Sequence, residues 1–141
     1  MTILDVVFAA LTAWKENRGA GTEGLTSIIN VVRNRALRDG TSLYAECVKR
    51  LQFSSITATG DPELTLWPEE NDTQWKEALG LAETELADIT GGATLYYAPG
   101  SIHSTKTIVV DEVTFPFPQS WDLAKVVYTV NIGKQLFFKE T

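Results

Sequence analysis

The stretch Trp14-Lys15-Glu16-Asn17-Arg18-Gly19-Ala20-Gly21-Thr22-Glu23-Gly24, running on into Leu25 to Arg38, decides how this chain folds. Upstream of it, Leu4, Val7, Phe8, Leu11 and Trp14 recur at three- and four-residue spacing, which predicts one apolar helical face. Thr2-Ile3-Leu4-Asp5 has the capping-box form, a hydroxyl at the cap and an acid three residues on, so helix one is expected from Ile3 to about Asn17. Gly19, Gly21 and Gly24 then mark a turn, and Thr22 is the expected cap of a second helix. Its inner face is Leu25, Ile28, Ile29, Val32 and Ala36, and Asp39-Gly40 is its stop. Two packed helices joined by a glycine turn leave Glu16 at the end of an apolar segment, where packed structure can hold a carboxylate beside a cleft.

Further along, Ser42 is the expected cap of a short third helix, Leu43 to about Leu51, after which Gln52-Phe53-Ser54-Ser55 leaves regular structure. Thr57 to Asn71 contains Gly60, Pro62 and Pro68 and reads as a long loop, a kind of segment that is usually functional or mobile in a compact domain. Trp67 within it either packs on the core or contacts a ligand. Asn71 or Asp72 opens a fourth helix with Trp75, Ala78, Leu79, Ala82 and Leu86 on one face, ended by Gly91-Gly92. From Ala93 the period falls from 3.6 towards 2. Leu95-Tyr96-Tyr97 and Thr107-Ile108-Val109-Val110 read as strands around a turn at Pro99-Gly100, and Pro116 and Pro118 predict an irregular passage through Phe115, Phe117 and Trp121. Lys125 to Val130 and Lys134 to Phe138 read as an antiparallel pair around Asn131-Ile132-Gly133. The expected class is therefore α+β, with a helix-rich N-terminal two thirds and a small antiparallel sheet or hairpins in the C-terminal third, in one domain spanning 1–141.

Composition removes several function classes. At 141 residues and 44% hydrophobic content the chain can bury one real core. A net charge of -6, with basic residues scattered, argues against a phosphate-backbone partner, so no nucleic acid is expected. Cys47 is the sole cysteine, which excludes an internal disulfide and a cysteine-rich zinc site and leaves a small buried hydrophobe. No run approaches the roughly 20 apolar residues of a membrane span. Met1 to Trp14 lacks a basic first segment and carries Asp5 in its middle, so it is not expected to be a signal peptide. His103, the single histidine, reads as an exposed loop residue, and a Ser-His pairing is its one other use. Asp111 and Glu112 read as surface charges beside a strand. Glu69, Glu70 and Asp72 lack the alternating oxygen ligands of an EF-hand, and Gly19-Ala20-Gly21 lacks the third glycine or the lysine of a phosphate loop. No metal, nucleotide or other cofactor is expected.

The residues alone leave two roles open for Glu16. An acid that protonates a glycosidic oxygen must stay protonated near neutral pH, and apolar neighbours such as Trp14 and Phe53 would favour that by penalising the ionised form. The other role is an ion pair with Lys15, Arg18 or Arg33 at a solvated helix end.

Several segments then fall into a familiar order. Glu16-Asn17-Arg18-Gly19, Gly24 and Val31-Val32-Arg33-Asn34-Arg35 resemble the Glu-Ala-Arg-Gly to Val-x-x-Asn-Arg signature of the SleB-like cell-wall hydrolase family. Gln52-Phe53-Ser54 is similar to its Gln-Phe-Ser segment, and Gly92-Ala93-Thr94-Leu95-Tyr96-Tyr97 to its Gly-Ala-Thr-x-Tyr-Tyr segment. Ile132-Gly133 with Phe137-Phe138 resembles its closing Ile-Gly-x-His-x-Phe segment. The resemblance spans about Leu4 to Phe138. It departs at Ala20, where the family often has a second glutamate, and at Gln135, where it commonly has histidine. The stretch from Tyr97 to Trp121 is also longer and more strand-like than the family pattern.

The resemblance implies a lysozyme-like domain that cleaves the peptidoglycan glycan strand between N-acetylmuramic acid and N-acetylglucosamine, with Glu16 as the catalytic acid and base of a lytic transglycosylase. A hydrolytic muramidase would need a second carboxylate at a set separation, and none is evident. Sugar-binding candidates are Phe53, Tyr96, Tyr97 and Trp121, with Gln52, Ser54 and Thr94 as polar partners. Arg18, Asn34 and Arg35 are read as bracing the glutamate and the turn or touching the glycan, the last two as structural. The expected setting is a phage or prophage lysis protein made in the cytoplasm and delivered by a holin, virion or other route. A non-catalytic virion or wall-binding protein that keeps the fold is the alternative.

Overall fold

The structure, a computed structural model, describes residues 1–49, 56 and 60–141. These divide into two compact units, Met1–Ile89 and Thr90–Thr141.

In the first unit α1 (Ile3–Asn17), α2 (Gly21–Asp39), α3 (Leu43–Val48) and α4 (Thr73–Glu83) are helices, with a 3-10 turn at Pro62–Thr65. The capping box forms as its residues predict: Thr2 Oγ1 accepts from the Asp5 amide at 3.2 Å, and Asp5 Oδ2 accepts from the Thr2 amide at 2.9 Å. Among the described residues, helix α1 packs against α2, α3 and α4. Its buried apolar residues are consequently Ala9, Ala10 and Ala13, which let neighbours approach closely, together with Leu11 and Trp14. Leu4, expected on the inner face, is half exposed because it lies on the outward side of the first turn. All five residues expected inside α2 are buried.

Local chemistry differs from expectation at three places. Helix α2 starts at Gly21 after Ala20, with no side-chain cap, and Thr22 lies inside the helix with its hydroxyl turned to Glu77 of α4. Helix α3 ends at Val48 rather than near Leu51. Helix α4 stops at Glu83, well before Gly91-Gly92, so Leu86 is not on its face. The early stop has a tertiary cause. Arg33 donates to the carbonyls of Ala82 and Thr84, both at 2.9 Å, and Thr84 Oγ1 donates back to Gly80 at 2.7 Å. The outgoing chain is then held along α2, where Asn30 Oδ1 accepts from the Ile89 amide and Asn34 Nδ2 donates to Asp88.

The second unit holds two antiparallel sheets. One has the order β1 (Leu95–Tyr97), β5 (Gln135–Glu140), β4 (Val126–Ile132), and the other pairs β2 (Thr107–Val110) with β3 (Val113–Pro116). Central strand β5 buries Leu136, Phe137 and Phe138 in succession. Leu136 and Phe138 join Tyr97, Val110 and Phe117 in one cluster, whereas Phe137 stacks on its cross-strand partner Tyr96. Strand β3 takes in Phe115 and Pro116, where an irregular passage was expected from the prolines, and Phe117 to Trp121 is irregular as expected. Pro116 closes the strand opposite Thr107, where a missing amide is tolerated in a two-stranded ribbon. The turn between β2 and β3 puts Asp111 and Glu112 at φ of 50° and 66°, and both are exposed as expected. Helices first and small antiparallel sheets last make the chain α+β.

Candidate active site

Glu16 sits in the last turn of α1, partly buried, between buried Lys15 and buried Asn17. The helix ends immediately afterwards, because Arg18 turns extended and Gly19 takes a φ of 90° that a side-chain-bearing residue adopts only with strain. Three sets of contacts fix this helix end. Asn17 Nδ2 donates to the Gly24 carbonyl at 3.0 Å, and Ser27 Oγ donates to the same oxygen at 2.7 Å, so the glycine turn is tied to the start of α2. The Gly19 amide donates to Gln74 of α4. Arg18 lays its guanidinium over the Trp14 ring, 4.2 Å from the centroid, and grips Glu63 of the 3-10 turn with both terminal nitrogens, one of them at 2.8 Å from Oε2.

Lys15 completes the arrangement from the same side. Its ammonium donates to the carbonyls of Glu63 at 2.6 Å and Leu64 at 3.3 Å and sits 4.6 Å from the centroid of the Trp67 ring. Burial pulls its pKa below the ordinary lysine value, against the pull of Glu63 and Asp61, while the hydrogen bonds that Arg18 donates to Glu63 raise the pKa of the guanidinium. The cations considered as partners for Glu16 thus have structural work elsewhere as well: Lys15 and Arg18 on the 3-10 turn, Arg33 on the end of α4.

The role of Asp61 and Glu63 escaped the sequence reading, which took 57–71 as loop. A signal was present in Asp61-Pro62-Glu63, an N-cap type residue followed by proline in the first helical position. Asp61 Oδ1 does accept from the Glu63 amide at 2.8 Å.

Of the other sequence candidates, Gln52, Phe53 and Ser54 lie outside the described residues. Thr94, Tyr96, Tyr97 and Trp121 belong to the second unit. Thr94 is buried, donates its amide to the Phe138 carbonyl at 2.9 Å, and donates its hydroxyl to Glu140 at 2.7 Å. Tyr96 is half-buried on Phe137. Tyr97 lies inside the aromatic cluster, touching Phe117, Trp121 and Phe138, with its hydroxyl donating to the Pro116 carbonyl at 2.7 Å. Burial pushes that phenol up to about 12. Half-buried Trp121 packs edge-on against the same rings. Asn34 braces Asp88, Arg35 is buried in α2, and His103 is exposed in its loop. Among the described residues no three His, Cys, Asp or Glu side chains gather as a metal would require, and no helix is long and apolar enough to cross a membrane.

No family model and no curated protein matches the chain. Among solved structures, the catalytic domain of the germination-specific lytic transglycosylase SleB from Bacillus anthracis matches with a TM-score of 0.67 at 21% identity, over 99% of this chain and 97% of that one. A likeness end to end in both chains shows that the protein has the fold of the SleB catalytic domain.

Proposed function

We propose that the chain cleaves the glycan strand of peptidoglycan between N-acetylmuramic acid and N-acetylglucosamine by lytic transglycosylation. The observation that carries this reading is the end-to-end likeness to a lytic transglycosylase catalytic domain, combined with a glutamate in the braced last turn of α1. In the proposed reaction the Glu16 carboxyl protonates the bridging oxygen as the C1–O bond breaks. The resulting carboxylate then takes the proton of the muramic acid C6 hydroxyl, whose oxygen bonds to C1 and closes a 1,6-anhydro ring. No water is consumed, and one carboxyl serves both steps.

The engagement of nearby acids supports a single-acid route. Glu63 is gripped by Arg18, Glu77 accepts from Thr22, and Asp72 caps α4 through the amides of Gln74 and Trp75. Glu23, the carboxylate nearest in sequence to the missing glutamate of position 20, is exposed in the first turn of α2. Delivery to the wall by a holin, a virion or another route belongs to the same proposal.

Mass spectrometry of purified peptidoglycan digested by the protein tests it. The expected products are anhydro-muropeptides, with turnover falling about 100-fold or more in Glu16→Gln, the usual range for loss of a general acid. Reducing-end products would move the assignment to hydrolysis. Absence of any product with wall binding intact would leave a non-catalytic wall-binding protein.

A further inference from the structure

Trp67 is a large aromatic side chain that the fold places in solvent, with the chain before and after it anchored. It is 66% exposed, although hydrophobic burial would ordinarily draw such a ring inward. The chain on either side is tied down. Before it, the 3-10 turn is latched to the end of α1 through Arg18, Glu63 and Lys15. After it comes Pro68, with its fixed φ, and the Asp72 amide donates to the Glu69 carbonyl at 3.0 Å. The Lys15 ammonium steadies the ring from 4.6 Å. Beside the ring lies an apolar hollow of about 190 Å³, bounded also by Phe8, Leu11 and Leu64.

We infer that Trp67 is a sugar-stacking platform for an N-acetylated pyranose of a glycan strand. A rigid exposed indole offers its face to the C–H groups of a pyranose with little ordering entropy to lose. The adjoining hollow has an apolar lining suited to an acetamido methyl. Position argues for the same occupant: Lys15, whose ammonium lies over the ring, shares the last turn of α1 with Glu16, so Trp67 stands at the same helix end as the acid. The inference rests on reading the substrate as a glycan, and it adds a subsite on the helical unit at a residue for which the sequence left core packing and ligand contact open.

Calorimetric titration of the full chain carrying Glu16→Gln with soluble N-acetylglucosamine oligomers tests it without turnover. Adding Trp67→Ala is expected to weaken binding about tenfold, with Trp67→Phe recovering most of the loss and glucose oligomers binding poorly throughout. Unchanged affinity in Trp67→Ala, or no binding of the oligomers by the parent, overturns the inference. If Trp67→Ala melts early, fluorescence decides: an oligomer-induced change in tryptophan emission that vanishes in Trp67→Phe supports the platform, and one that persists overturns it. Because binding is read with Glu16 already replaced, failure of the catalytic assignment and failure of the platform give different results.

Discussion

Asp5 shows how much one side chain can decide in this fold. It is buried, its Oδ2 accepts from the amide and hydroxyl of Thr2, and its Oδ1 accepts from the Tyr44 amide at 3.0 Å, so it both caps α1 and ties α3 to it. The Thr2 and Tyr44 amides hold its pKa below the ordinary aspartate value. A carboxylate with a depressed native pKa contributes stability that is present above the unfolded value and is lost as pH falls through the native one. Asp5→Asn is therefore expected to lower unfolding free energy by about 1 to 2 kcal/mol at pH 7. In urea melts the gap to wild type should close once the pH drops below the native pKa of Asp5; a gap that stays constant into strong acid would mean that charge is not what the site uses. The capping half of this was legible from Thr2-Ile3-Leu4-Asp5. The bond to Tyr44 was not, because it joins residues 39 apart in the chain.

Between elements, the joint of α1 and α2 depends on a glycine for space rather than for its dihedral. A Cβ built on Gly24 would lie 2.4 Å from the Cβ of Ala20, an atom fixed to backbone that cannot swing aside, while the Gly24 carbonyl already receives Asn17 and Ser27. Gly24→Ala should force the turn apart and destabilise the protein by about 1 to 3 kcal/mol, the usual range for overpacking. Thermal denaturation followed by circular dichroism measures this, and a melting temperature equal to wild type would show that the joint has slack. The same joint explains the absent cap of α2. Thr22 is drawn to Glu77, so a residue suited by type to capping is used for a tertiary contact instead. Helix α4 follows the same logic, since its length was set by Arg33 and not by the glycines that seemed to end it.

For the molecule as a whole, the helical unit encloses Cys47 completely, and burial pushes the thiol up to about 12. At pH 8 roughly one thiol in ten thousand would then be ionised. Labelling with an aromatic disulfide reagent should be negligible in the native protein and should become stoichiometric only as denaturant opens the helices. Rapid labelling without denaturant would show that the α1–α3 packing opens on its own. The candidate site divides at this scale too. Glu16 and its braces belong to the helical unit, and Thr94, Tyr96, Tyr97 and Trp121 belong to the other. Two of these aromatics, Tyr97 and Trp121, are packed into the cluster around Phe138.

The sequence by itself determined the α+β order, the span and cap of α1, the inner face of α2 and the pairing of β4 with β5. Each rests on local pattern: residues three or four apart, which are neighbours in any helix, or period-two runs on either side of a short turn. It also marked Glu16, through position at a helix end and through resemblance. Tertiary structure alone decided where α4 stops, that Val113–Pro116 is a strand, and that Asp61, Glu63 and Lys15 lock the turn that carries Trp67. The helix stop and the locked turn depend on partners dozens of residues away, and the strand on its hairpin partner Thr107–Val110; these hydrogen bonds and burial outweigh the local preferences that a sequence pattern records.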